Sequence, residues 1–385
     1  MPFPATIVKH IPESAISEMS RIAARYHAIN LASGYPDFDP PAELLRAAEK
    51  ALQAGYNQYT PTEGAPRLRR ALADKLTRFM GMPIDPDTHL TITCGGTEAM
   101  IATMMALLNP NDQVIVFSPY YEIYTVDTLL AGARPVFVAL RPPDFSFDQA
   151  ELRQAFQGGA KALVLCNPSN PSGKVFTRQE LEFIADLAQE YDAFVIADEV
   201  YEHIVYSPHR HTYFANLPAM FERIVSCGSF SKTYSVTGWR VGYTLSPPAI
   251  TQAIRKIHDY LSICAPAPLQ EAIVTALMFP DSYYQQLQEE YSWRRRVFLG
   301  YLEQTGLSFT PPQGAYFVLV DISPFGYRSD TEFCHWMAKE IGVAGVPGSS
   351  FFHEPVNHLI RLNFAKSEAL LREAGERLLR LKEYR

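Results

Sequence analysis

The sequence predicts an α/β protein of two unequal lobes: a large domain with a mostly parallel, seven-stranded sheet sandwiched by helices, and a smaller α+β domain. Three observations carry this expectation. Between residues 90 and 245, seven short apolar runs alternate with segments of helical periodicity. Strands bracketed by helices mean crossover connections, and hence parallel pairing. After Pro247 the pattern changes to long helices with only two further strand-like runs. Finally, 385 residues exceed one small domain and suit two lobes.

In chain order, the first thirty residues read as an arm with a short helix over 16–26. NLASGYPDFDPP, residues 30–41, is rich in Gly and Pro and reads as turns. Pro40 and Pro41 open a helical run through Ala54. The strands are expected at 90–93, 113–117, 136–140, 162–165, 194–197, 224–227 and 241–245. Helices fill several gaps, as at 98–108 and 178–191; the second opens with Thr177 and Glu180, a capping box. Beyond Pro247 the expected helices are 249–261, 269–279, 281–304, 330–340 and 368–381, with strands at 316–320 and 359–364. The division that follows is a large domain over 36–280. Residues 1–35 and 281–385 supply the arm and the small domain. In sheets of this kind ligands bind beyond the carboxyl ends of the strands, so the loops there matter most.

Composition removes several function classes. Hydrophobic content of 47% and charged content of 19% suit a large core. A net charge of −7, from 34 basic and 41 acidic side chains, argues against a nucleic-acid surface. Cys94, Cys166, Cys227, Cys264 and Cys334 are scattered and form no CxxC pair, so neither a disulfide framework nor a metal site is expected. A reducing cytoplasm fits that usage. The N-terminus has no apolar stretch typical of a signal peptide, and the longest apolar run, residues 99–108, is too short to cross a bilayer.

The chemistry-bearing residues cluster in loops. SCGSFSKTYSVTGWRVG, residues 226–242, places Lys232 among small hydroxyl residues between two expected strands, with Arg240 eight positions later. Cys94-Gly95-Gly96-Thr97 joins a strand to a helix, where small residues let a phosphate approach backbone N–H groups. Asp198 ends an apolar strand, and NPSNPSG, residues 167–173, follows another. Pro119-Tyr120-Tyr121 follows a third. Arg361 lies inside LIRLNFA, an apolar strand pattern, and a charge there needs a partner. Taken singly, most of these fit ordinary turns, caps or internal salt bridges.

Together they resemble a family. S-x-S-K-x-x-x-x-x-G-x-R-x-G, filled by Ser229, Ser231, Lys232, Gly238, Arg240 and Gly242, resembles the lysine motif of class I/II aminotransferases, fold-type I enzymes that carry pyridoxal 5'-phosphate. The passages GYPDF, NQYTPTEG, DEVYEHI, FSKTYSVTGWRVGY, GAYFVLVDIS and LIRLNFAK are similar to the branch of bacterial methionine aminotransferases and kynurenine/glutamine transaminases. The resemblance implies a Schiff base between Lys232 and the cofactor aldehyde, with Ser229, Arg240, Gly96 and Thr97 at the phosphate. It implies Asp198 on the ring nitrogen, Asn170 and Tyr201 on the phenolic oxygen, and Tyr121 stacked on the ring. Tyr59 would reach the phosphate of a neighbouring subunit in a homodimer. Arg361 would grip the substrate α-carboxylate, with Gly34, Tyr35 and Asn170 also at the substrate. The family usually has threonine where Ser172 stands here.

The implied reaction is ping-pong transfer of an amino group from a neutral amino acid, methionine or an aromatic one, to a 2-oxo acid. The side-chain pocket is expected among Tyr35, Phe38, Tyr56, Tyr59, Tyr316 and Phe317. Two other readings use the same residues or fold: a C–S β-lyase acting on cysteine-like substrates, and a non-catalytic ligand-sensing module.

Overall fold

The structure is a computed structural model that describes Pro2 and residues 4–384. The arm carries α1 (Ala15–Tyr26), capped by Ser14, and the two-residue strand β1 (Ile29–Asn30). Then follow α2 (Ala42–Gln53), α3 (Pro66–Met80), β2 (Leu90–Thr93), α4 (Gly95–Leu107), β3 (Gln113–Ser118) and α5 (Ile123–Leu130). Next come β4 (Arg134–Arg141), β5 (Ser146–Phe147), α6 (Gln149–Gln157), β6 (Ala160–Cys166), α7 (Arg178–Glu190) and β7 (Phe194–Asp198). β8 (Ile224–Ser229), the single-turn α8 (Phe230–Thr233) and β9 (Gly242–Leu245) complete the central region.

The sheet has eight strands, in the order β2-β9-β8-β7-β6-β3-β4-β5, and not seven. The addition is β5, two residues antiparallel to the outer strand β4, too short to leave a periodic signal. β9 also runs antiparallel to both neighbours, while β8, β7, β6, β3 and β4 pair in parallel. These strands read as continuous apolar runs because both faces are covered. Along β3, Val114 and Val116 face one core with Met100, Met104 and Ile254; Ile115 and Phe117 face another with Leu72, Leu181 and Ile273. That alternation is the period of two of a pleated strand.

α3 has no counterpart in the sequence reading. Its charges hide it: Lys75 is buried and ion-paired to Glu202 at 2.6 Å, and Arg69 donates to the Gly64 carbonyl at 3.3 Å. Pro66 at its first turn and the left-handed Gly81 at its end are the signals that mark it.

α9 (Pro248–Leu261) packs on α4 and α10 (Ala267–Leu277) on α2 and α3, and the second lobe begins with α11 (Asp281–Thr305) and β10 (Phe317–Asp321). α12 (Asp330–Trp336), β11 (Val343–Ala344), β12 (Val346–Pro347), β13 (Leu359–Asn363) and α13 (Glu368–Leu379) follow. The helix expected over 330–340 changes to a wider π turn at Met337–Ile341 before Gly342. β10, β13 and β12 form an antiparallel sheet, and β1 pairs with β11. The arm therefore joins the C-terminal core, where Met19 and Ile22 pack with Phe333, Val343 and Leu378.

Candidate active site

A cavity of about 260 Å³ opens where the carboxyl ends of β7 and β8 meet the N-terminus of α4, the arm and β13. Gly34, Tyr35, Gly96, Thr97, Tyr121, Asn170, Asp198, Tyr201, Ser229, Lys232, Arg240 and Arg361 all line it. They come from eight separate stretches of the chain. Tyr59 does not line it; it stands 76% exposed on the outside of this chain. Tyr120 turns away from the cavity and stacks on Phe137 at 5.5 Å.

Lys232 is set by the turn after β8. The Ser229 hydroxyl oxygen accepts the Ser231 N–H at 3.2 Å and starts the single turn of α8. The ammonium Nζ donates to the Gly34 carbonyl at 2.8 Å and lies 5.9 Å from the rings of Tyr201 and Tyr316. Burial pulls its pKa down to about 8; Arg240 and Arg361 act in the same direction and Asp198 against it.

Arg240 lies across the mouth of the α4 turn. It donates to Thr97 Oγ1 at 3.4 Å and to the Thr237 carbonyl at 2.9 Å. The turn is built without spare room. A Cβ on Gly95, at φ +82, would stand 2.5 Å from the guanidinium, and one on Gly242 would stand 2.5 Å from the Gly95 backbone carbon. Bare backbone N–H groups at a helix N-terminus and one guanidinium make an anion cradle. The cradle fits a phosphate.

Asp198 is buried and held by the Tyr124 hydroxyl, which donates to Oδ2 at 2.6 Å, and by Val200 N–H at 3.3 Å. Burial raises its pKa; those two bonds and Lys232 oppose the rise. Tyr201 is buried with its hydroxyl pushed well above 10 by desolvation, so it remains a donor.

Arg361 is fully buried in β13. Nη1 donates to Asn170 Oδ1 and Nη2 to the Ala32 carbonyl, each at 2.8 Å, and the cation lies over Phe317 at 4.3 Å. Among the described residues it has no ion-pair partner, and its buried Nε has no acceptor. The internal salt bridge that would explain it in ordinary terms is missing. A charge so placed calls for an anion from outside the chain.

Sequence reasoning missed Ile16, Ile123, Tyr124, Val200 and Thr237, which also line the cavity. Ile16 comes from the arm helix; the Ser14 hydroxyl that caps that helix donates to Glu122 beside Ile123 at 2.5 Å. No local pattern marks these residues, because their neighbours in space are distant in sequence. The expected aromatic pocket is also corrected. Only Tyr35 of that set lines the cavity: Phe38 packs on Tyr291, Phe317 lies beneath Arg361, and Tyr56 is exposed. Tyr316 donates to the Gly34 carbonyl at 3.0 Å.

Known proteins resemble the chain over nearly its whole length. The family model for aminotransferase class I and II matches residues 26–378. The chain is 38% identical over 379 residues to a methionine aminotransferase of Escherichia coli (strain K12), covering 98% of each protein. It is 36% identical over 400 residues to kynurenine–oxoglutarate transaminase 1 of Homo sapiens, covering 95% of each. Among solved structures it is similar to YbdL from Escherichia coli, described as having a methionine aminotransferase function, with a TM-score of 0.95, 37% identity and coverage of 99% of this chain and 100% of that one.

Proposed function

The chain belongs to the class I and II aminotransferases, and on that premise we propose that it moves the amino group of a neutral amino acid, methionine or an aromatic one first, to a 2-oxo acid. The family's cofactor is pyridoxal 5'-phosphate. When bound, it supplies an electron-poor ring that takes up the electrons left as the substrate Cα–H bond breaks.

The chain's own residues divide the work. Lys232 would be the attachment point for the cofactor aldehyde; once the substrate amine has displaced it, the freed Nζ would take the substrate Cα proton and later return it, as base and then acid. Gly96, Thr97, Ser229 and Arg240 would hold the phosphate. Asp198 would pair with the ring nitrogen, Asn170 and Tyr201 with the phenolic oxygen, and Tyr121 would stack on the ring. Arg361 grips the α-carboxylate with a planar fork, with Gly34 and Tyr35 beside it.

One observation carries the reading. Three cations, Lys232, Arg240 and Arg361, converge on one cavity, and among the described residues none has an ion-pair partner. Two guanidinium groups and one amine around a single cavity match a phosphate, an α-carboxylate and the carbon between them. The remaining lining includes Ile16, Ile123 and Tyr35 and adds no fourth cation. A side-chain carboxylate stripped of water there would be heavily penalised, so a neutral side chain is favoured.

We further propose a homodimer in the cytoplasm. Tyr59, Tyr260 and Met278 expose 76%, 92% and 76% of their surface, large groups more often covered by a partner. In that dimer Tyr59 of a second copy reaches the phosphate. The five cysteines are unpaired, in keeping with a reducing compartment.

The test is direct. Borohydride treatment of the loaded protein should fix cofactor on Lys232, and Lys232→Ala should lose both that linkage and nearly all turnover. Fixation on another lysine overturns the assignment. Wild-type kcat/KM for methionine, phenylalanine, leucine and aspartate then ranks the donors. A clear preference for aspartate would falsify the neutral-substrate reading.

A further inference from the structure

We propose that Tyr124 is a positioning residue that fixes the carboxylate of Asp198 toward the cavity. The inference rests on the reading of Asp198 as the group facing the cofactor's ring nitrogen.

The two residues lie 74 positions apart, on α5 and at the end of β7, and the fold brings them into contact. Asp198 is 6% exposed, and among the described residues it has no ion-pair partner. A buried carboxylate with no cation in contact depends on its hydrogen bonds. The Tyr124 hydroxyl supplies the short one, 2.6 Å to Oδ2, against 3.3 Å from Val200 N–H to Oδ1. The phenol therefore occupies Oδ2 and sets the torsion of the carboxylate, leaving Oδ1 with only the longer bond.

Tyr124 is itself held. It is 2% exposed, its N–H donates to the Tyr121 carbonyl at 3.1 Å, and its carbonyl accepts the Thr128 hydroxyl at 2.7 Å. Its ring meets Tyr121 edge to face at 5.9 Å. One rigid tyrosine thus braces two groups of the cavity wall. Burial holds the phenol's proton well above pH 10, so it remains a donor whenever Asp198 is ionised. The ordinary alternative is that Tyr124 merely fills space under the sheet.

A double-mutant cycle separates these roles. Tyr124→Phe, Asp198→Asn and the double variant are compared for pyridoxal phosphate Kd on the apoprotein, for the absorption band of the loaded protein, and for melting temperature. Tyr124→Phe should weaken cofactor binding roughly tenfold, the scale of one hydrogen bond to a charged group, and move the absorption band. Added to Asp198→Asn, it should change Kd less than twofold. A Tyr124→Phe variant with wild-type Kd and spectrum overturns the proposal, and so does full additivity. If Asp198→Asn alone leaves Kd and spectrum unchanged, the reading of Asp198 fails and the proposal falls with it. Should Tyr124→Phe not fold, 3-fluorotyrosine at position 124 keeps the shape and strengthens the donor. The band should then move the opposite way, and an unmoved band overturns the proposal.

Discussion

Lys232 shows how much a residue's surroundings decide. A free lysine is protonated up to about pH 10.4, but burial beside Arg240 and Arg361 brings this one down to about 8. The neutral amine is the form that attacks an aldehyde. It is scarce below that pKa and dominant above it. Covalent cofactor uptake by the apoprotein should therefore speed up as pH rises through about 8 and level off above, which absorbance after mixing can follow. A rate still climbing steeply at pH 10 would mean an ordinary lysine. At Arg361 the prediction is about geometry. Arg361→Lys keeps a charge but loses the planar two-point grip. It should lower kcat/KM for every amino acid by a similar factor, roughly tenfold to a thousandfold for a loss of about 1.4–4 kcal/mol. A loss confined to one donor would place Arg361 in side-chain recognition instead.

At the scale of elements, the site depends on how closely β9 approaches the first turn of α4. The two glycines of the lysine motif differ there. A Cβ on Gly242 would meet the backbone of Gly95 at 2.5 Å and of Gly96 at 2.6 Å, whereas one on Gly238 meets nothing within 4 Å. Gly242→Ala should displace the phosphate turn, destabilise the fold by about 1–3 kcal/mol and weaken cofactor binding. Gly238→Ala should stay within about 0.5 kcal/mol of wild type. Calorimetry and a cofactor titration on both variants decide; equal behaviour contradicts the packing argument. The other element that matters is β13, which anchors the arm. Asn363 Nδ2 donates to the Ser33 carbonyl at 2.6 Å, and Lys366 Nζ donates to Ser33 Oγ at 3.0 Å and to the Tyr35 carbonyl at 3.1 Å. Together with Arg361 to Ala32, these bonds fix the loop around Gly34 to the strand that carries the guanidinium. Asn363→Ala leaves a buried carbonyl unsatisfied and should cost about 1–3 kcal/mol of stability. It should also raise KM for all donors more than it lowers kcat, as steady-state kinetics can show.

At the scale of the whole molecule, the cavity lies at the junction of three bodies: the large sheet, the C-terminal lobe and the arm. Tyr59 faces outward from the same chain. If a second copy completes the site, sedimentation should find a dimer at assay concentrations. Tyr59→Phe should then weaken cofactor retention by an amount equivalent to about 1.5–3 kcal/mol, without altering the dimer. A fully active monomer would end that reading.

The sequence by itself determined the fold class, the family and most of the cavity wall. Seven of the eight strands leave apolar runs long enough to read, because a strand covered on both faces must be apolar along its length. Lys232, Arg240 and Gly242 lie in one short motif whose spacing survives in the turn they build. The tertiary structure alone decided what depends on distant contact. It paired Tyr124 with Asp198, brought Ile16 from the arm and Ile123 to one cavity, and left Arg361 without an ion-paired carboxylate among the described residues. It also buried Lys75 against Glu202 and so made a core helix of a charged stretch. Local patterns record the periodicity of a segment and the chemistry of a turn. Partners from separate stretches of chain are chosen only when the lobes pack.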